Sequence, residues 1–195
     1  EQPRLGWHVG VVAAGVGGAL AFAGFLVRQR LAARPMMPLG LFRVRNFGWG
    51  NVAAFFVYGA LGLNSFVIGV YLQQGAGLPA TLAGLASLPI SILMTVGSSW
   101  AGSLAGRIGP RVPMTVGPLL MAAASLLMLW VGEEFDYWTQ LLPGILLFGV
   151  GLTVTVSPLT AAILGSIEPA RSGIASAVNN AVARIAGLLA VAMLG

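Results

Sequence analysis

The sequence predicts an all-α fold, a polytopic transmembrane helix bundle. Three observations predict it. Hydrophobic residues fill 57% of the 195 positions and charged residues 8%, whereas a soluble domain carries about 25% charge. Six runs reach the roughly 20 mostly apolar residues that a helix needs to cross a bilayer. Arginine falls in every second connection between those runs, as it does when basic loops stay in the cytoplasm. The net charge of +5 comes from Arg alone, with no Lys. Because these arginines sit between apolar spans, they read as topology determinants and not as a nucleic-acid footprint.

The first span is 9–27, with Trp7 and His8 at its outer end. Residues 28–46 are too polar to span. They carry Arg28, Arg30, Arg34, Arg43 and Arg45 with Pro35 and Pro38, and read as a cytoplasmic linker with a short interfacial turn around 39–42. The second span is 47–72, followed by an uncharged outer connection, 73–80. The third and fourth spans, 81–105 and 112–131, flank a basic hinge containing Arg107 and Arg111. Gly106 and Gly109 give that hinge backbone freedom, Pro110 ends the helical register, and Pro113 suits a first helical turn. The next connection is acidic, with Glu133, Glu134 and Asp136. The fifth span is 141–164, a connection with Glu168 and Arg171 follows, and the sixth span runs from about 174 to 195. Both ends of the chain are thereby outside. The expected organisation is a peripheral or linker helix over 1–27, a linker over 28–46 and a bundle over 47–195. The first residue is not Met and the last lies in an apolar run, so the chain reads as a piece of a longer polytopic protein.

Trp7, Trp49, Trp100, Trp130 and Trp138 all fall near span ends, where an amphipathic indole prefers the interface. Small residues four apart, Gly102 with Gly106 and Ala14 with Gly18, mark possible close helix approaches. Pro89 and Pro158 lie deepest among the prolines within spans. Each removes a backbone hydrogen bond and kinks its helix, either as a fixed bend or as a flexing point.

Candidate functional groups are few. Without Cys there is no disulfide and no thiol chemistry. No phosphate loop, metal-ligand spacing or nucleophile–base set appears, so neither an enzyme nor a cofactor is expected. All five carboxylates lie outside the spans, which leaves this stretch without an intramembrane proton carrier. The hydroxyls of Thr153, Thr155 and Ser157 read as bonded back to helix carbonyls. Tyr58 and Asn64 are better cavity candidates, with Gln73 at the outer end of the same span, because a phenol or amide in lipid demands a partner. Ser176, Asn180 and Arg184 recur every four residues and share one helix face. Arg184 stands twelve residues past Ser172, about 18 Å of helix. Two placements remain open for it: the bundle interior, as a substrate contact or a gate lock, or snorkelling to headgroups.

These residues resemble a known family. Gly102, Leu104, Arg107, Gly109 and Arg111 resemble the cytoplasmic loop motif of the major facilitator superfamily, in its second copy. The motif's Asp is Gly106 here, so its charge-relay lock does not carry over with the rest. Tyr71, Leu72, Gln73, Gln74 and Gly75, then Pro79, Ala83, Gly84, Leu85, Leu88 and Pro89, resemble the fourteen-span drug:proton antiporter branch. So do Gly149, Val150 and Gly151 with Pro158, the run 172–180 with Arg184, Gly6 with Trp7, and the run 35–47. The resemblance covers nearly the whole chain. It implies the C-terminal part of that fold, beginning at the eighth of fourteen spans, in the plasma (inner) membrane. It implies a small lipophilic substrate, an often cationic drug or natural product, exported by alternating access in exchange for protons. It also implies that the N-terminal half and the last helix belong to the same polypeptide but lie outside this chain. The alternative is a membrane scaffold or regulatory fragment that does not transport.

Overall fold

A computed structural model describes residues 9–32, 35–130, 132 and 135–194. Gly6, Trp7, His8, Arg34, Glu133 and Glu134, all invoked above, lie outside the described residues. The chain forms two compact units, Glu1–Arg43 and Val44–Gly195. The first unit holds α1 (Val9–Leu31) and a 3-10 turn, Leu39–Arg43. Within it the Gln29 side-chain oxygen accepts from the Met37 amide at 3.1 Å, which ties the end of α1 to the linker.

The second unit contains α2 (Arg45–Val70), α3 (Ala80–Ala86), α4 (Leu88–Ile108), α5 (Arg111–Met128), α6 (Leu142–Gly165) and α7 (Ser172–Ala192). A π turn, Tyr71–Gly75, prolongs α2, and another, Tyr137–Leu141, leads into α6. With these extensions there are, among the described residues, six helical stretches long and apolar enough to cross a membrane. Helix α6 is the axis. It packs against α5, α4 and α2, while α7 packs chiefly on α2. Its Ile145, Phe148, Leu152, Leu159 and Ile163 are all at most 1% exposed. By contrast α2, α4 and α5 turn large apolar side chains outward, such as Phe56, Val96 and Leu119. In lipid such a face costs nothing, so the inward and outward faces of these helices are both apolar.

Glycine sets the closest crossings. A Cβ on Gly151 would lie 2.7 Å from the Gly117 carbonyl oxygen and 2.9 Å from the Met121 amide nitrogen, so the α5 and α6 backbones touch there. A Cβ on Gly62 would lie 2.8 Å from the Gly187 Cα, which marks the α2–α7 crossing. The Gly102 and Gly106 pair suggested by the sequence is not such a crossing. Both are exposed, no neighbour stands within 4 Å of a Cβ on either, and Gly106 is helical within α4. The turn of the basic hinge rests on Gly109, whose φ of 83° is a conformation glycine adopts without steric cost.

The third span is broken. Expected as one helix over 81–105, it divides at Ser87 into α3 and α4, two residues before Pro89. Pro89 has no amide hydrogen, and the Ile90 amide donates to the Ser87 carbonyl at 3.2 Å in place of the Ala86 carbonyl. The Ala86 carbonyl instead accepts from the Tyr137 hydroxyl at 2.9 Å, across 51 residues of sequence. Tyr137→Phe therefore strips the partner from a freed carbonyl. A loss of about 1–2 kcal/mol is expected, read as faster amide hydrogen exchange around residues 86–90. Unchanged exchange there rules the bond out as a contributor.

Candidate functional site

The sequence-derived site residues do not converge on one point. Asn64 lies on the half of α2 away from the arginine-bearing end. It lines a cavity of about 570 Å³ with Leu63, Val67 and Tyr71 of the same stretch, Ser125 and Met128 of α5, and Leu141 at the entry to α6. The walls are mostly apolar. The Asn64 amide nitrogen is buried and has no hydrogen-bond partner, which makes it the unsatisfied donor of this cavity. The Ser125 hydroxyl is spent on the Met121 carbonyl at 3.0 Å. Tyr71 also meets Phe135 edge to face, with ring centroids 5.6 Å apart.

Tyr58 is half-buried on α2 and stands beside the Thr160 side chain of α6. Gln73 is exposed and donates to the Gly69 carbonyl at 3.1 Å, a local bond that keeps it out of the cavity. Thr153 and Thr155 donate back to the Gly149 and Gly151 carbonyls, each at 2.7 Å. Pro158 is fully buried inside the continuous helix α6, whereas Pro89 borders the break described above.

Asn180 and Arg184 lie on the exposed face of α7, opposite the packed face formed by Ala175, Val178, Asn179, Ala186 and Ala190. Ser176 sits at the border of the two faces. The residue that sequence reasoning passed over is Asn179, 7% exposed with a buried, unpartnered side-chain oxygen. Asn51 of α2 is similar: 3% exposed, its amide donates to the Phe47 carbonyl at 2.9 Å while its oxygen has no partner. The signal for Asn179 was present as the small-residue series Ala175, Asn179, Ala186 and Ala190, which marks a packed face.

At the hinge, Gly102, Arg107 and Arg111 are exposed, Leu104 is partly covered, and Gly109 makes the turn between α4 and α5. At the opposite end, Asp136 caps the approach to α6. Its carboxylate accepts from the Thr139 hydroxyl at 2.6 Å and from the Trp138 and Thr139 amides at 3.2 and 3.3 Å. These bonds, the Thr139 hydroxyl first, hold its carboxyl below the ordinary carboxylate value. Among the described residues the one ion pair is Arg171 with Glu168, 4.0 Å apart on the surface.

The membrane-length helices define a polytopic integral membrane protein. The chain belongs to the major facilitator superfamily, whose family model matches residues 3–191. It is 31% identical over 198 residues to the methylenomycin A resistance protein of Streptomyces coelicolor, covering all of this chain and 41% of that protein. It is 32% identical over 203 residues to the tetracenomycin C resistance and export protein of Streptomyces glaucescens, again in full and over 36% of the relative. Multidrug resistance protein Stp of Mycobacterium tuberculosis is 33% identical over 204 residues, 36% of its length. The chain thus spans about two-fifths of the length of these relatives.

Proposed function

We propose that this chain forms the C-terminal part of a secondary transporter that exports lipophilic drugs or natural products by alternating access, driven by protons. One observation carries the reading. The similarity runs through every helix of the bundle to relatives named for antibiotic resistance and, in one case, for export. The arginine-bearing ends face the cytoplasm in this reading, as the positive-inside rule requires. The helices act by binding and moving a solute and carry out no bond chemistry. Neither described carboxylate, Asp136 nor Glu168, lies within a membrane-length helix, and the proton acceptor is assigned to the other part of the polypeptide. Asn64, Tyr58 and the Arg184 stripe supply the polar contacts of this half.

The test is solute uptake into inverted membrane vesicles. Vesicles holding the intact polypeptide should accumulate a fluorescent drug when acidified inside and should release it on addition of a protonophore. Vesicles holding only these 195 residues should accumulate none, because half of the cavity wall is missing. Accumulation by the intact protein that ignores the protonophore would remove proton coupling from the reading.

A further inference from the structure

Arg184 is the one charged residue in the interior of the membrane-length helices; the other arginines of those stretches lie within a few residues of an end. A guanidinium keeps its charge in every protein environment, and about 18 Å along α7 it is beyond easy reach of the cytoplasmic headgroups. In hydrocarbon such a group needs an anion or water. The described helices hold no carboxylate to supply one.

The face that bears it is unusual for a lipid-facing surface. Gly173, Ala177, Asn180 and Arg184 are all exposed there. A lipid-facing stripe elsewhere in this chain is built from Phe, Leu and Val, as at Phe56, Leu119 and Val96. On the N-terminal side of Arg184 this face is small or polar, while Ile185 and Leu188 stand exposed beside and beyond it. Asn180 and Ser176 follow it at one-turn intervals, which puts a planar cationic fork, an amide and a hydroxyl in line, about 6 Å apart. That order of donors fits a carboxylate or enolate bound to the fork, with a neighbouring carbonyl or hydroxyl on the amide.

We infer that the Ser176–Asn180–Arg184 face recognises an anionic headgroup, so that the substrates of this exporter are apolar molecules bearing one carboxylate or enolate. The inference rests on the transport reading above and narrows it. An anionic substrate resolves a problem that a cationic one would aggravate, since a second positive charge beside Arg184 in low dielectric is repelled.

The experiment compares a matched probe pair, dansylphenylalanine and its methyl ester, with ethidium as the cationic member. Uptake into inverted vesicles holding the intact protein is measured for wild type, Arg184→Gln and Arg184→Lys, at matched membrane levels. For Arg184→Gln, uptake of the carboxylate should fall about tenfold or more, the scale of one lost charge-assisted hydrogen bond. Ester uptake should stay within about threefold, and Arg184→Lys should restore part of the carboxylate uptake by keeping the charge without the fork. Equal loss of all three probes means that the guanidinium pairs with a fixed group of the polypeptide, and overturns the inference. So does unchanged uptake of the carboxylate. A wild-type protein that moves the ester and ethidium but not the carboxylate overturns the substrate class while leaving transport intact. One that moves none of the probes overturns the transport reading and this inference with it.

Discussion

Gly151→Ala should strongly lower the stability of this bundle. The added Cβ would stand 2.7 Å from the Gly117 carbonyl oxygen, 2.9 Å from the Met121 amide nitrogen and 3.0 Å from the Leu120 Cβ. Two of the three are backbone atoms of α5, so no rotamer change relieves the overlap. The helices must separate along the α5–α6 interface, the most extensive among the described elements. Overpacking of this kind costs about 3 kcal/mol, or a drop of roughly 6–12 °C in melting temperature for a chain of this size. The reciprocal change, Gly117→Ala, meets the Thr155 hydroxyl and the Gly151 carbonyl and should behave alike. Gly106→Ala is the control. No atom lies within 4 Å of its Cβ, and replacing a helical glycine by alanine is favourable by about 1 kcal/mol. Thermal unfolding in detergent separates the two cases; equal melting temperatures for Gly151→Ala and wild type would mean that α5 and α6 do not touch at this level.

The contrast between these glycines shows where the sequence was legible. Apolar length and arginine spacing located the six spans, because crossing a bilayer constrains composition residue by residue. The crossings were hidden. The chain has 28 glycines, and in lipid the packed and unpacked faces of a helix are both apolar, so the periodicity that marks a buried face in water is missing. Gly102 and Gly106 had the right spacing and pack against nothing, while Gly62, Gly117 and Gly151 carry the contacts. The α7 stripe was legible to the same degree. Four-residue spacing put Asn180 and Arg184 on one face, but only the packing of α7 on α2 decides that this face is uncovered and that Asn179, one residue earlier, is buried. Pro89 announced a bend. Its consequence, an Ala86 carbonyl taken by Tyr137, depends on a partner 51 residues away that no local pattern names.

Gly62→Val should detach α7 from α2, and a disulfide can report it. The chain has no Cys, so any introduced pair is free of competition. A Cβ on Gly59 lies 4.0 Å from the Ala190 Cβ, inside the span of about 3.5–4.5 Å that a disulfide bridges without strain. The double variant Gly59→Cys, Ala190→Cys should therefore oxidise to a cross-link between α2 and α7. Adding Gly62→Val to that background puts a branched side chain where a single Cβ already lies 2.8 Å from the Gly187 Cα and 3.1 Å from its carbonyl oxygen. The obstructing atoms are all Gly187 backbone, which no rotamer change removes, and α7 has few other contacts to hold it, since it barely touches α6. A penalty of about 1–3 kcal/mol corresponds to a fall of roughly 5- to 150-fold in the population that can cross-link. Because Arg184 and Asn180 ride on α7, the same substitution should impair transport by the intact protein without any change at the stripe itself. A cross-linking yield that Gly62→Val leaves intact would show that α2 and α7 do not meet through these glycines, and the uncovered face assigned to Arg184 would lose its frame of reference.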